Sequence, residues 1–251
     1  MDDKPGKIID YDYKGELFNN ITRNVRVYLP PEYQQSTTSY PVIYFMDGQN
    51  LFYDSTSFAG EWHIDETMNR LINQNYPPAI IVGIDHANEK RINEYNPYDH
   101  PEYGKGEGKE FMHWFIDFFI PEIEKTFRIN GNKKFRGIGG SSMGGLISLY
   151  GISSYPEIFG HAALFSVSFP IAPQSIELID YISKESYIYL AAGDKEPKSL
   201  VGQTQEAANE LHAYIFPKNN LRLNILANKG HNEELWDELF VDYYKWISKR
   251  W

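Results

Sequence analysis

The segment Gly140-Ser141-Ser142-Met143-Gly144-Gly145 places a serine between glycines at the spacing G-x-S-x-G. A segment read as a strand, Phe135–Gly139, precedes it, and a helix-forming stretch from about Met143 to Ser154 follows. A chain that turns from strand into helix within so few residues strains its backbone at the serine and exposes the hydroxyl at the tip. Gly140 and Gly144 flank the serine because a side chain at either position would meet the turning backbone. The new helix aims its first amides at the same point, so the amide of Met143 can hold a developing oxyanion. This pattern suits acyl chemistry with Ser142 as nucleophile. A serine-capped glycine turn has the same five residues without the chemistry, and the strand before and helix after favour the nucleophile. Ser141 is in the wrong register and reads as structural.

A serine hydroxyl needs a base to take its proton, and the base needs an acid to orient it. On a strand-to-helix elbow these partners follow in the order acid, then histidine. There are seven histidines. His161 and His212 follow Ser142, but the first starts a strand and the second lies within a helix. His231 follows a strand end, in Lys229-Gly230-His231-Asn232-Glu233, where Gly230 lets the loop approach closely. His63, His86, His100 and His113 precede the serine and read as loop or helix residues without metal-ligand spacing. The acid should end the strand before His231, in Gly193-Asp194-Lys195-Glu196-Pro197. Spacing alone does not separate Asp194 from Glu196. A second oxyanion amide is expected after an early strand. Asp47-Gly48-Gln49 stands there; Gly48 permits a tight turn and the amide of Gln49 would face the serine.

These groups need elements to hold them. Two β-like runs, Ile8–Tyr13 and Val25–Leu29, read as an antiparallel edge. From Val42 onward strand and helix patterns alternate, the signature of a mostly parallel sheet covered on both faces. The strands read as Val42–Met46, Ala79–Ile84, Phe135–Gly139, His161–Ser168, Tyr187–Ala192 and Leu221–Ala227. Helices are expected around Glu61–Asn73, Glu110–Phe127 with a kink at Pro121, Met143–Ser154, Gln203–Tyr214 and Glu233–Ser248. Asp85–Lys109 reads as a long polar loop, a kind that is usually functional or mobile. In such sheets ligands bind at the carboxyl ends of the strands. That loop, with Phe52, Tyr53, Trp62 and Tyr95, is the expected wall of a substrate pocket.

Composition sets outer bounds. A length of 251 residues fits one α/β domain, read here as 1–251. The formal net charge of -10 argues against nucleic acid and anionic membrane surfaces as partners. With no cysteine, thiol nucleophiles, thiolate metal sites and disulfides are excluded. The N-terminal Met-Asp-Asp-Lys-Pro-Gly has no apolar signal core and no stretch is apolar enough to span a bilayer, so the chain reads as cytoplasmic.

Four pieces in order carry a resemblance. They are Tyr44-Phe45-Met46-Asp47-Gly48-Gln49-Asn50-Leu51-Phe52, Gly139-Gly140-Ser141-Ser142-Met143-Gly144-Gly145, Ala192-Gly193-Asp194-Lys195-Glu196-Pro197 and Gly230-His231-Asn232-Glu233. Together they resemble the esterase branch of the α/β-hydrolases. That branch includes feruloyl and acetyl-xylan esterases, siderophore esterases, S-formylglutathione hydrolases and mycolyltransferases. The segment Arg91-Ile92-Asn93-Glu94-Tyr95-Asn96-Pro97 also looks like family sequence and is given no catalytic role. The resemblance implies an α/β-hydrolase fold. It selects Glu196 over Asp194, because the family's acid is the last residue of a Gly-x-x-Asp/Glu pattern. It implies a Ser142–His231–Glu196 triad with Met143 and Gln49 amides as the oxyanion hole. The substrate would be a small-molecule or oligosaccharide ester of acetyl, feruloyl or siderophore type, cleaved without metal or cofactor. A thioesterase or acyltransferase would use the same triad. A non-catalytic binding protein on this scaffold would be expected to lack the serine or histidine.

Overall fold

The run Val42-Ile43-Tyr44-Phe45-Met46 has no polar side to give to water, and both of its faces are buried. It is the third of eight strands in the computed structural model, which describes residues 5–251. Residues 1–4, where the segment read for a signal begins, lie outside the described residues. The strands are β1 (Lys7–Asp12), β2 (Asn24–Leu29), β3 (Val42–Met46), β4 (Ile80–Ile84), β5 (Arg136–Ser141), β6 (His161–Phe165), β7 (Tyr187–Gly193) and β8 (Leu221–Leu226). They lie in the order β1-β2-β4-β3-β5-β6-β7-β8. β1 pairs antiparallel with β2 and β2 with β4. From β4 to β8 every neighbouring pair is parallel.

The helices are α1 (Ile64–Asn73), α2 (Arg91–Glu94), α3 (Gly108–Trp114), α4 (Ile120–Thr126), α5 (Met143–Ser154), α6 (Lys198–Tyr214) and α7 (Glu233–Ile247). Period-two alternation divides each strand between two cores. Tyr44 and Met46 face one core, which α3 to α6 cover; Ile43 and Phe45 face the other, under α1 and α7. Phe45 lies edge-on to Trp62 and Phe240. Truncating so enclosed a ring to alanine costs about 3–5 kcal/mol. The chain leaves β3 for β4 on one side and returns to β5 on the other. Such a reversal opens a crevice at the carboxyl ends of the two flanking strands. Those ends carry Asp47-Gly48-Gln49 and Ser142.

Several boundaries differ from expectation for local reasons. β6 stops at Phe165, not Ser168, because Ser166 turns left-handed at φ 47°. α1 begins at Ile64, after His63 takes φ 46°. The expected helix Glu110–Phe127 is α3 and α4 joined by a π-helical turn, Phe115–Phe119. Pro121 falls in the first turn of α4, where its missing N–H is least costly. Asp85–Lys109 is not an open loop. It contains α2 and buries Glu94, Tyr95 and Asn96, and Arg23 meets Glu94 at 2.6 Å. Among the described residues no helix is long and apolar enough to cross a membrane.

Candidate active site

β5 passes into α5 at Ser142, whose φ of 56° and ψ of -120° lie outside the regions favoured by L-residues. A residue held there costs about 1–3 kcal/mol and persists only where its surroundings over-determine it. They do so here. The Ser142 amide donates to Phe165 O at 3.0 Å, and its carbonyl accepts from Leu146 N at 3.0 Å and Ser168 N at 3.2 Å. A Cβ on Gly140 would come within 2.6 Å of the Gly144 backbone. One on Gly144 would meet Asp47 Oδ2 at 2.9 Å, so the two glycines are required by space.

The Ser142 hydroxyl lies 3.0 Å from Nε2 of His231, and Nδ1 of His231 lies 2.5 Å from Oε1 of Glu196. A carboxylate only accepts, so Nδ1–H donates to Glu196 and Nε2 is left free to accept from Ser142. Glu196 is 5% exposed. Its second oxygen accepts from the Gly193 amide at 2.7 Å and from Ser166 Oγ at 3.0 Å. Ser166 in turn accepts from Trp236 Nε1 at 3.0 Å, and the Trp236 ring stands edge-on to the imidazole at 5.0 Å. Asp194 faces away. It is exposed and accepts from the Asn228 amide at 2.7 Å. The glycine that permits a close approach is Gly193, where a Cβ would run into the Lys229 backbone. Gly230 has nothing within 4 Å of such a Cβ, which corrects the role expected for it.

The facing wall is built from Asp47 and the segment after β4. Asp47 is left-handed, with φ 60° and ψ 48°. Its carboxylate receives Nε and Nη2 of Arg91, each at 2.7 Å, and its amide donates to Tyr95 Oη at 3.4 Å. A Cβ on Gly48 would press on the Gly83 and Ile84 backbone at 2.6–2.9 Å. Gln49 is buried at the cleft. Its carbonyl accepts from Thr56 Oγ1 at 2.8 Å and its side chain from the His86 amide at 3.4 Å.

Between the two walls lies a cleft of about 690 Å³, bounded around Ser142 by Gln49, Phe58, Arg91, Ile92, His231 and Trp236. All four aromatics expected there are elsewhere. Phe52 is 3% exposed, Trp62 and Tyr95 are 0% exposed, and none of them lines the cleft. Trp62 packs among Phe45, Phe165 and Trp236, where its burial does more for the core than exposure would. Tyr95 backs Asp47 from beneath, and Tyr53 lies under the Arg26 guanidinium. The aromatics at the cleft are Trp236, hidden from sequence reading by the apolar stripe of α7, and Phe58, 86% exposed at the mouth. The four early histidines are engaged locally. His63 meets Asp237 and His113 meets Asp117, while Nδ1 of His86 and of His100 accepts from nearby amides.

A mostly parallel sheet that reverses at β3 and carries its strained serine after β5 defines the α/β-hydrolase class. The chain belongs to the family described as "Putative esterase", whose model matches residues 19–245, and is a carboxylic ester hydrolase. It is 25% identical to the uncharacterized protein YbbA of Bacillus subtilis (strain 168) over 252 residues, 93% of this chain and 96% of that one. It is 28% identical over 190 residues to an endo-1,4-beta-xylanase/feruloyl esterase of Xylanibacter ruminicola. That match covers 74% of this chain and only 24% of the longer relative. Among solved structures a ferulic acid esterase superposes with a TM-score of 0.75 at 19% identity, covering 98% of this chain and 99% of that one.

Proposed function

We propose that Ser142, His231 and Glu196 are the triad of a serine esterase that works through an acyl-enzyme. The unbroken contact from Ser142 Oγ through both imidazole nitrogens to Glu196 supports this reading. His231 Nε2 takes the hydroxyl proton as Ser142 Oγ bonds to the ester carbon. The carbonyl electrons move to the oxygen, which the Met143 and Gln49 amides hold. Collapse expels the alcohol, which takes the proton from His231. Water then repeats the sequence on the acyl-serine and releases the acid. Glu196 keeps Nδ1 protonated and stabilises the imidazolium. One domain supplies every part.

For the substrate we favour a feruloyl- or acetyl-type ester of a sugar or small alcohol. Two of the similar proteins bear feruloyl or ferulic acid esterase names. An aryl acyl group would also find Phe58, Trp236 and Ile92 along the cleft. The test is hydrolysis of methyl ferulate and a p-nitrophenyl ester panel by wild type and Ser142→Ala. The variant should lose turnover on the order of a million-fold. Equal activity of the two would remove Ser142 from the role. Silence of both, with no labelling of Ser142 by a fluorophosphonate, would favour a binding protein on this scaffold.

A further inference from the structure

The exit from β6 reads Ser166-Val167-Ser168, and both serines serve the site. Ser166 holds the acid, as described. The Ser168 hydroxyl lies 3.2 Å from Ser142 Oγ, and the Ser168 amide donates to the Ser142 carbonyl at 3.2 Å. Ser168 is 6% exposed, between buried Val167 and Phe169. Among the described residues its hydroxyl has no other protein partner. The direction of this hydrogen bond follows from the rest of the network. Glu196 commits Nδ1–H of His231, Nε2 therefore accepts, and the one proton of Ser142 goes to Nε2. Oγ of Ser142 retains lone pairs only toward Ser168, so Ser168 donates.

We propose that Ser168 is a second catalytic hydroxyl, donating to Ser142 Oγ, and that its main contribution is to deacylation; this rests on Ser142 being the nucleophile. The argument compares what Oγ offers Ser168 at each stage. As a free hydroxyl, Oγ is already a good acceptor, so acylation gains little from the donor. In the acyl-enzyme, Oγ is an ester oxygen whose lone pair is delocalised into the carbonyl, and it accepts poorly. Water attack ends that delocalisation. The water oxygen bonds to the acyl carbon, its proton passes to His231 Nε2, and the carbonyl electrons move to the oxyanion. Oγ is now a full acceptor. On collapse the C–Oγ bond breaks, the carbonyl re-forms, and Oγ takes the proton back from His231 while Ser168 stabilises the charge it gathers. An interaction that strengthens only on the way to the transition state accelerates that step.

The experiment follows a p-nitrophenyl ester with wild type and Ser168→Ala. Readouts are turnover, the first-turnover rate of p-nitrophenol release, and the steady-state fraction of acyl-Ser142 by intact mass after acid quench. One neutral hydrogen bond corresponds to a fall in turnover of roughly tenfold. The acyl-Ser142 fraction should rise while the first-turnover rate stays within about threefold. Turnover and occupancy equal to wild type overturn the proposal. A first-turnover rate that falls in step with turnover, without acyl-enzyme accumulation, also overturns it. Ser168→Thr and Ser168→Val have nearly equal shape and differ in the hydroxyl, so they guard against a folding defect in the alanine variant. Thr should deacylate several times faster than Val, and equal rates overturn the role. Fluorophosphonate labelling separates the two layers. An unlabelled wild type removes the nucleophile and this proposal with it, whereas labelling with unchanged deacylation removes only the role of Ser168.

Discussion

Two arginine–carboxylate pairs of nearly the same geometry sit at opposite ends of the parallel strands. At the carboxyl ends, Arg91 grips Asp47 with both contacts at 2.7 Å. At the amino ends, Arg136, the first residue of β5, grips Glu124 of α4 at 2.8 and 2.9 Å. What they hold differs. Asp47, Ser142 and Ser166 all have positive φ, and each stands directly after a parallel strand. Among the described residues none of the three positions before any of β3 to β8 has a positive φ. Strain is thus concentrated at one end of the sheet, where it aims a hydroxyl and shapes a turn. The Arg91 pair restrains a strained turn; the Arg136 pair ties a helix to a relaxed strand. Equal contacts therefore imply unequal consequences for activity.

After loss of the serine itself, the largest effect should come from the carboxylate bonded to His231. Glu196→Gln keeps the shape but takes the negative charge from His231 and permits the wrong tautomer. Turnover should fall by roughly 10³–10⁴. Asp194→Asn, two residues away, should stay within about threefold, because its exposed carboxylate accepts from the Asn228 amide and does not reach His231. A reversed ranking on methyl ferulate would replace Glu196 as the acid. The two arginines give the next contrast. Arg91→Met leaves Asp47, only 3% exposed at its side chain, without its partner and frees the turn before Gln49. Turnover should fall roughly 10–100-fold, the scale of a misplaced oxyanion donor. Arg136→Met should lower the thermal midpoint by roughly 5–15 °C, as breaking a mostly buried pair does. Its turnover per folded molecule should stay within about twofold of wild type. If Arg136→Met loses as much turnover as Arg91→Met, the two ends of the sheet are not functionally distinct.

Much of this was legible in the chain because it depends on local pattern. Apolar runs such as Val42–Met46 mark buried strands, and a serine between glycines at a strand–helix junction marks the elbow. The hidden part depends on partners distant in sequence. Arg91 meets Asp47 across 44 positions, and Ser142 and Ser168 are brought together by the pairing of β5 with β6. No periodicity encodes such meetings. Aromatic content misled for a related reason. Trp62 and Phe58 lie four positions apart, yet one is enclosed by rings from three elements and the other faces solvent. Side-chain chemistry alone does not choose between core and cleft. Glu196 was selected over Asp194 by family pattern, and the geometry adds a physical reason, since it is Glu196 that reaches Nδ1 of His231.

The smallest effect concerns a histidine at the amino end. His161 opens β6 and is fully buried; Nδ1 shares a hydrogen bond of 2.7 Å with Tyr243 Oη and Nε2 has no partner among the described residues. Unlike His231 it has no carboxylate partner among the described residues, and burial pushes its pKa down to about 3. In the unfolded chain the same ring titrates near 6.5. Between those values the unfolded state takes up a proton that the folded state refuses. Stability present above pH 6.5 is therefore lost as pH falls toward 3. His161→Gln removes that titration and keeps a polar group for Tyr243. Urea unfolding at pH 7, 6, 5 and 4 should show the variant gaining on wild type as the solution becomes more acidic. The gain approaches tenfold in the folding equilibrium per pH unit below 6. Parallel stability profiles would mean that His161 accepts a proton within the fold. The amino end would then tolerate a buried charge without a counter-ion, unlike the Arg136 pair beside it, and the contrast between a strained end and a relaxed end whose buried charges are paired would fail where it is easiest to measure.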